Sequence, residues 1–315
     1  MIKIYSRTGR NLNDLAEKHF QQLEPIIRTR LTSVPLKQRQ IKYIGDNLRK
    51  IITAEPNDLL LINNDYVNHC TRPGITRLKN VKQGLKKLFD YDHFSKKNTT
   101  SYDGYDFTKS LQMSTCSYCN RGYIYTITKG KEKIVRPDID HFYAKSDYPL
   151  LALSFFNLVP SCLVCNRSLK GKKKTSTCLN PYVDGFGDAM KFSFIPLDTL
   201  SSIGQGTNFR VLFLKDSLQV TKVRKCEKNV DLFRIEDIYS ESHGDEIAHL
   251  ISLFEKTSGA YLNQLQRMFP ALGSAHELYR IAFGNYLYTE DHEKKPLAKL
   301  TKDIVEQLNF TMPGT

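Results

Sequence analysis

Residues 138–171 read DIDHFYAKSDYPLLALSFFNLVPSCLVCNRSLKG. Asp138 and Asp140 alternate at the end of a strand, so they share one face, with His141 on the other unless the strand bends. Asn157 follows His141 by sixteen residues, and Asn166 follows Asn157 by nine. The segment 162–171 reads as a short helix that Gly171 ends. Asn166, Arg167 and Lys170 all lie on that helix.

The same stretch carries Cys162 and Cys165 as a C-x-x-C pair, and a second pair, Cys116 and Cys119, stands upstream in CSYC. A C-x-x-C turn brings two sulfurs onto one tetrahedral ion, and two such turns complete a closed, structural four-cysteine zinc site. Buried core cysteines and a redox dithiol are the other readings of these residues. The two pairs flank one hairpin in a chain whose seven cysteines are an odd number, which favours metal over disulfides.

Working outward, residues 122–140 alternate as a hairpin about Lys129-Gly130. Upstream, 11–31 places Leu12, Leu15, Ala16, Phe20, Leu23, Ile27 and Leu31 at helical spacing, with Pro25 expected to end or kink the helix. Residues 36–54 and 76–90 also read as helices, and the polar stretch 95–109 as a linker. Downstream, strands are expected at 191–196 and 208–215, with a third near 218–224. From 244 onward the pattern is helical, and Pro296 opens a last helix. The division by composition is a basic, mostly helical region 1–110, a core 111–190 and a segment 191–315 of short strands then helices. The fold class expected is α+β.

The chain has 315 residues and a net charge of +13. The excess is +9 in residues 1–110 and +6 in 111–185, against −2 in 186–315. A basic face of this kind can condense onto phosphates by counterion release, or can simply be a soluble surface. The near-neutral C-terminal helices either meet a protein partner or complete the core. No apolar run reaches the roughly 18 residues of a membrane span. The opening residues lack the layout of a secretory leader, so a cytoplasmic protein with no membrane association is expected.

Phosphodiester hydrolysis needs charge stabilisation at the leaving oxygen and a base near neutral pKa. Asp140 and Asn166 offer the oxygen ligands that magnesium prefers, and His141 suits the base. Arg167 and Lys170 could hold phosphate oxygens. Each residue has a plainer role open to it: a solvent-facing Asp, a packed His, an Asn that satisfies loop amides or lies on a helix surface.

DIDH…N…CLVCN resembles the HNH endonucleases, the ββα-metal nuclease fold, in the zinc-stapled subgroup with Asn as third signature residue. The resemblance covers about residues 114–185. It implies His141 as general base, Asp140 and Asn166 as ligands of a catalytic Mg2+ or Mn2+, and Asn157 as the asparagine that orders the loop. It implies Cys116, Cys119, Cys162 and Cys165 as a structural Zn2+ site. Products with 5′-phosphate and 3′-hydroxyl ends follow from the same resemblance. More loosely, LNPYVDGF (179–186), LFRIEDIYSESHGDEI (232–247) and KKPLAKLTKDI (294–304) resemble flanks of HNH subunits from Septu-like and retron-associated anti-phage systems. Those subunits work beside an ATPase, so an ATPase partner is the expectation. The substrate would be nucleic acid, DNA ahead of tRNA or other RNA. The competing expectation is a zinc-stapled nucleic-acid or protein binding module without catalysis.

Overall fold

In a computed structural model, which describes residues 1–6, 11–70, 78–98, 101–270 and 274–310, the first helix, α1 (Leu12–Leu31), starts where the Asn11 side chain accepts the Asn13 N–H. It runs without a break through Pro25. The proline removes one backbone donor, but buried Leu12, Ala16, Phe20, Leu23, Ile27 and Leu31 form a stripe on both sides of it, and that packing holds the helix together. Helix α1 packs on α2 (Gln38–Thr53), which is followed by α3 (Leu59–Cys70) and α4 (Leu78–Leu88). Residues 76–77 of the helix read from sequence lie outside the described residues.

The stretch 95–109 is not a linker. Residues 99–100 lie outside the described residues, but beyond α5 (Tyr91–Ser95) the chain forms α6 (Gly104–Leu111). Asp103 accepts the N–H groups of Tyr105 and Asp106, and Asp106 reaches back to the Asp103 N–H. This reciprocal cap starts a helix within a polar run, and burial of Tyr105 and Phe107 anchors it.

The hairpin forms as read: β1 (Ile127–Lys129) pairs antiparallel with β2 (Glu132–Val135), and Gly130 takes a left-handed φ of 59° at the turn. The next strand, β3 (Asp138–His141), pairs antiparallel with a strand that alternation did not disclose, β4 (Leu158–Ser161). The register sets Asp138 against Ser161, Ile139 against Pro160, Asp140 against Val159 and His141 against Leu158. All of β4 is buried and it holds a proline, so it shows neither alternation nor the usual composition of a paired strand. The helix Val164–Lys170 follows, ended by Gly171 at φ 51°. It is π-type, with the Gly171 N–H donating to the Asn166 carbonyl five residues back.

These elements belong to one compact unit, Tyr5–Met113 with Ile124–Ser176. Its core joins the N-terminal helices to the segment between β3 and β4. His19 of α1 is 2.9 Å from the Leu153 carbonyl and 2.9 Å from the Tyr102 hydroxyl, among the rings of Phe94, Phe107 and Phe155. Ser154 donates to the Ile51 carbonyl at 2.6 Å. The basic N-terminal region therefore forms part of the core around the site.

The second unit comprises Met1–Ile4, Ser114–Tyr123 and Thr177–Thr315. Strands β5 (Met190–Pro196) and β6 (Phe209–Lys215) pair antiparallel as expected, with the short α7 (Thr199–Ser202) between them. The segment read as a third strand near 218–224 is the start of a helix, α8 (Val220–Phe233). Val223, Cys226, Val230 and Phe233 are buried at helical spacing, and this longer period overrides the local β-propensity of the valines. Helices α9 (Ile235–Ser242), α10 (Gly244–Thr257), α11 (Tyr261–Met268), α12 (Ala275–Phe283) and α13 (Ala298–Gln307) complete the unit. Contacts thus group the chain into discontinuous units, whereas the cuts at 110 and 190 follow composition along the sequence. The fold is a mixture of helices and, among the described residues, three two-stranded antiparallel sheets. Among the described residues no helix is long and apolar enough to cross a membrane.

Candidate metal centre and active site

The first C-x-x-C pair sits in a tight turn. The Cys116 N–H donates to the Gly122 carbonyl at 3.0 Å, and the Asn120 N–H to the Cys116 carbonyl at 2.7 Å. Asn120 takes a left-handed φ of 51°, a conformation asparagine tolerates better than most side chains. Its Nδ2 donates to the His292 carbonyl at 2.9 Å, and the Tyr239 hydroxyl donates to the Cys119 carbonyl at 2.6 Å. In each pair one sulfur accepts a backbone N–H at 3.4 Å, Arg121 to Cys119 and Cys165 to Cys162. The sulfurs of Cys116, Cys119, Cys162 and Cys165 all lie within 4.8 Å of one another. Four sulfurs about 2.3 Å from a tetrahedral ion stand about 3.8 Å apart, so this cage fits a metal ion such as zinc. Cys116, Cys119 and Cys165 are buried.

One cavity of about 410 Å³ is lined by Asp138, Asp140, His141, Asn166, Arg167 and Lys170, with Tyr91, Arg136, Lys145 and Lys172 around them. Strand β3 and the helix Val164–Lys170 thus bring the carboxylate, imidazole and carboxamide read from sequence to a common space. His141 lines the same cavity as Asp140, although the two are neighbours on a strand paired in regular register.

His141 is 7% exposed, and its Nε2 lies 3.0 Å from the Ala152 carbonyl. A carbonyl only accepts, so Nε2 carries the proton and Nδ1 keeps its lone pair. Burial pushes the His141 pKa down to about 3; the bond to Ala152 opposes this, and the charges of Lys145 and Lys170 add to it. The imidazole is therefore neutral at pH 7, but burial holds it well below the near-neutral value that the sequence reading asked of a base. Asn157 is fully buried and does what a loop-ordering asparagine must. Its Oδ1 accepts the Tyr143 N–H at 2.7 Å, and its Nδ2 donates to the carbonyls of Tyr143 and Leu151 at 3.1 and 2.9 Å. These bonds close the segment that presents Ala152 to His141.

The two cations read as phosphate ligands are engaged otherwise. Lys170 is 2% exposed, and its Nζ donates at 2.8 Å to Asp140 Oδ1 and at 2.8 Å to the His141 carbonyl. Arg167 makes a two-pronged pair with Asp138, Nε to Oδ2 at 2.7 Å and Nη2 to Oδ1 at 2.8 Å. The reason is placement: one helix lies against a strand carrying two carboxylates, and each takes the nearest cation. Burial works against the Asp138 charge, but the bonds from Arg167 and Asn166 prevail and hold its pKa below the ordinary carboxylate value.

The oxygens the cavity offers to a cation are those of Asp140 and the carboxamide oxygen of Asn166. Asn166 Nδ2 donates to Asp138 Oδ2 at 3.2 Å, which orients its Oδ1, the ligand-type oxygen of the amide, away from that bond. A carboxylate has about four lone-pair directions, and the Lys170 ammonium takes one of them on Asp140. Magnesium keeps several waters and needs only one or two protein oxygens. The cavity lining carries five cations and two carboxylates, an excess of positive charge that suits an anionic ligand. Lys172, which is exposed, lines the same cavity.

Three contributors escaped the sequence reading. The Ala152 carbonyl has no side-chain signature. Lys145 is an unremarked lysine in the loop. Tyr91 lies fifty residues upstream of His141, and only the tertiary fold brings it there. Compared with protein-family models, with curated proteins and with solved structures, the chain matches none.

Proposed function

We propose that this chain is a metal-dependent endonuclease of the HNH type, hydrolysing phosphodiester bonds of nucleic acid, DNA ahead of RNA. The observation that carries the reading is a neutral imidazole whose Nε2–H is held by a carbonyl, in a cationic cavity it shares with one buried carboxylate and one carboxamide. The succession β3, β4 and helix Val164–Lys170, with two cysteines at the helix start, supports it further. A Mg2+ or Mn2+ ion held by Asp140 and Asn166 would supply charge stabilisation for the leaving oxygen and the pentacovalent transition state.

The protein's own groups do the rest. His141 Nδ1 takes a proton from water while the Ala152 carbonyl keeps hold of Nε2–H, and the water oxygen attacks phosphorus as the leaving oxygen departs with the bonding pair and takes a proton from solvent. Asn157 keeps Ala152 in place. Lys172 attracts the substrate phosphates. The four-cysteine cage, filled by zinc, is structural and takes no part in the chemistry. In a cell the enzyme would be cytoplasmic and act in anti-phage defence beside an ATPase partner.

The test is incubation of the purified chain, alone and with that ATPase, with DNA and RNA. Cutting that needs magnesium or manganese and leaves 5′-phosphate ends supports the reading. Binding without cutting under every condition supports the module without catalysis.

A further inference from the structure

Tyr91 is the first residue of α5 and enters the cavity from the N-terminal part of the chain. Its ring meets the His141 imidazole edge to face, with centroids 4.3 Å apart and planes at 73°. Its hydroxyl donates at 3.0 Å to the carbonyl of Ile139, two residues before His141 on β3. The Lys145 ammonium sits 4.4 Å from the centroid of the Tyr91 ring and is itself held by Asp92 at 2.5 Å. The cap of α5 fixes the start of the helix: the Asp90 side chain accepts the His93 N–H at 3.0 Å.

Among the described residues the imidazole has one polar anchor, from Nε2 to Ala152. A single hydrogen bond holds one corner of a planar ring, and a ring free to tilt loosens that bond and with it the preference for the Nε2–H tautomer. An edge-to-face aromatic contact, worth about 0.5–1.5 kcal/mol beyond burial, removes that freedom. The hydroxyl ties the same tyrosine to the strand carrying the histidine, so ring and strand keep their register.

We infer that Tyr91 is a positioning residue for His141, its ring setting the direction in which Nδ1 presents its lone pair. The catalytic consequence rests on the nuclease reading; the orienting role does not. The same contact gives a function to a part of the N-terminal region, whose composition discloses only charge and helices.

The test compares Tyr91→Phe, which keeps the ring and drops the hydroxyl, with Tyr91→Met, which fills similar space without a ring. Tyr91→Leu takes its place if Tyr91→Met melts below the assay temperature. Two readouts are taken: kcat and KM for cleavage, and the His141 tautomer by nitrogen NMR, which needs no activity. Tyr91→Phe should stay within about threefold of wild-type kcat, while Tyr91→Met loses about tenfold or more with KM unchanged, since small misplacements of a reacting group are costly. The wild type and Tyr91→Phe should show one Nε2–H tautomer, and Tyr91→Met a mixture.

The inference is overturned if Tyr91→Met keeps wild-type kcat, if its loss lies in KM, or if Tyr91→Phe falls as far. A wild type that cuts nothing refutes the nuclease reading instead. The tautomers then decide: a mixture in Tyr91→Met supports the positioning role, and a single Nε2–H form overturns it.

Discussion

Replacing Lys170 by methionine keeps the length of the side chain and removes its ammonium. The side chains of Lys170 and Asp140 are 2% and 4% exposed, and the ammonium bonds both the carboxylate and the His141 carbonyl at 2.8 Å. Taking away one partner of a buried pair leaves an uncompensated charge, which costs about 3–5 kcal/mol. For a cooperative unit of this size, at roughly 2–4 °C per kcal/mol, the melting temperature should fall by about 6–20 °C. Urea melting at pH 7 measures the loss. Adding Asp140→Asn to Lys170→Met should restore most of it, because a neutral amide needs no counter-ion. Magnesium should raise the melting temperature of Lys170→Met more than that of the wild type, since only the variant leaves Asp140 without its ammonium. A loss below about 1 kcal/mol, the worth of an exposed pair, or no recovery in the double variant, would refute the reasoning.

The purified chain should carry about one tightly bound zinc, as elemental analysis reads it, and Cys116→Ser should lose the metal and melt lower. Asn157→Ala removes three hydrogen bonds from a fully buried residue and should cost about 3 kcal/mol in urea melting, with loss of cleavage through displacement of Ala152. Stability should also fall in mild acid. Burial lowers the His19 pKa from 6.5 to about 4, against the bond to Leu153. Below pH 6.5 the unfolded chain takes a proton there that the folded chain refuses, so the His19 contribution to stability declines from pH 6.5 to about 4 and levels off beneath. The contribution is about 3 kcal/mol, and chemical melts of wild type and His19→Gln across that range should diverge accordingly.

What sequence disclosed was local. C-x-x-C turns, the strand ending at His141 and the helix stop at Gly171 each follow from a few neighbouring residues. The hidden parts depend on partners distant in the chain. Strand β4 is masked by burial on both faces and by Pro160. Helix α6 reads as a linker because its cap and its polar neighbours have the same composition as a loop. Arg167 and Lys170 read as open cations because a sequence displays charge and not its counter-ion; the register of β3 against the following helix supplies Asp138 and Asp140. Pro25 reads as a break because propensity is local, whereas the stripe that sustains α1 is tertiary.

The most direct test of the cavity as a hydrolytic site is the rate at which His141→Ala cuts nucleic acid under conditions where the wild type cuts. The account predicts metal-dependent cleavage by the wild type and none by the variant, with equal zinc content and an intact fold in both. Cleavage by His141→Ala at the wild-type rate would contradict it.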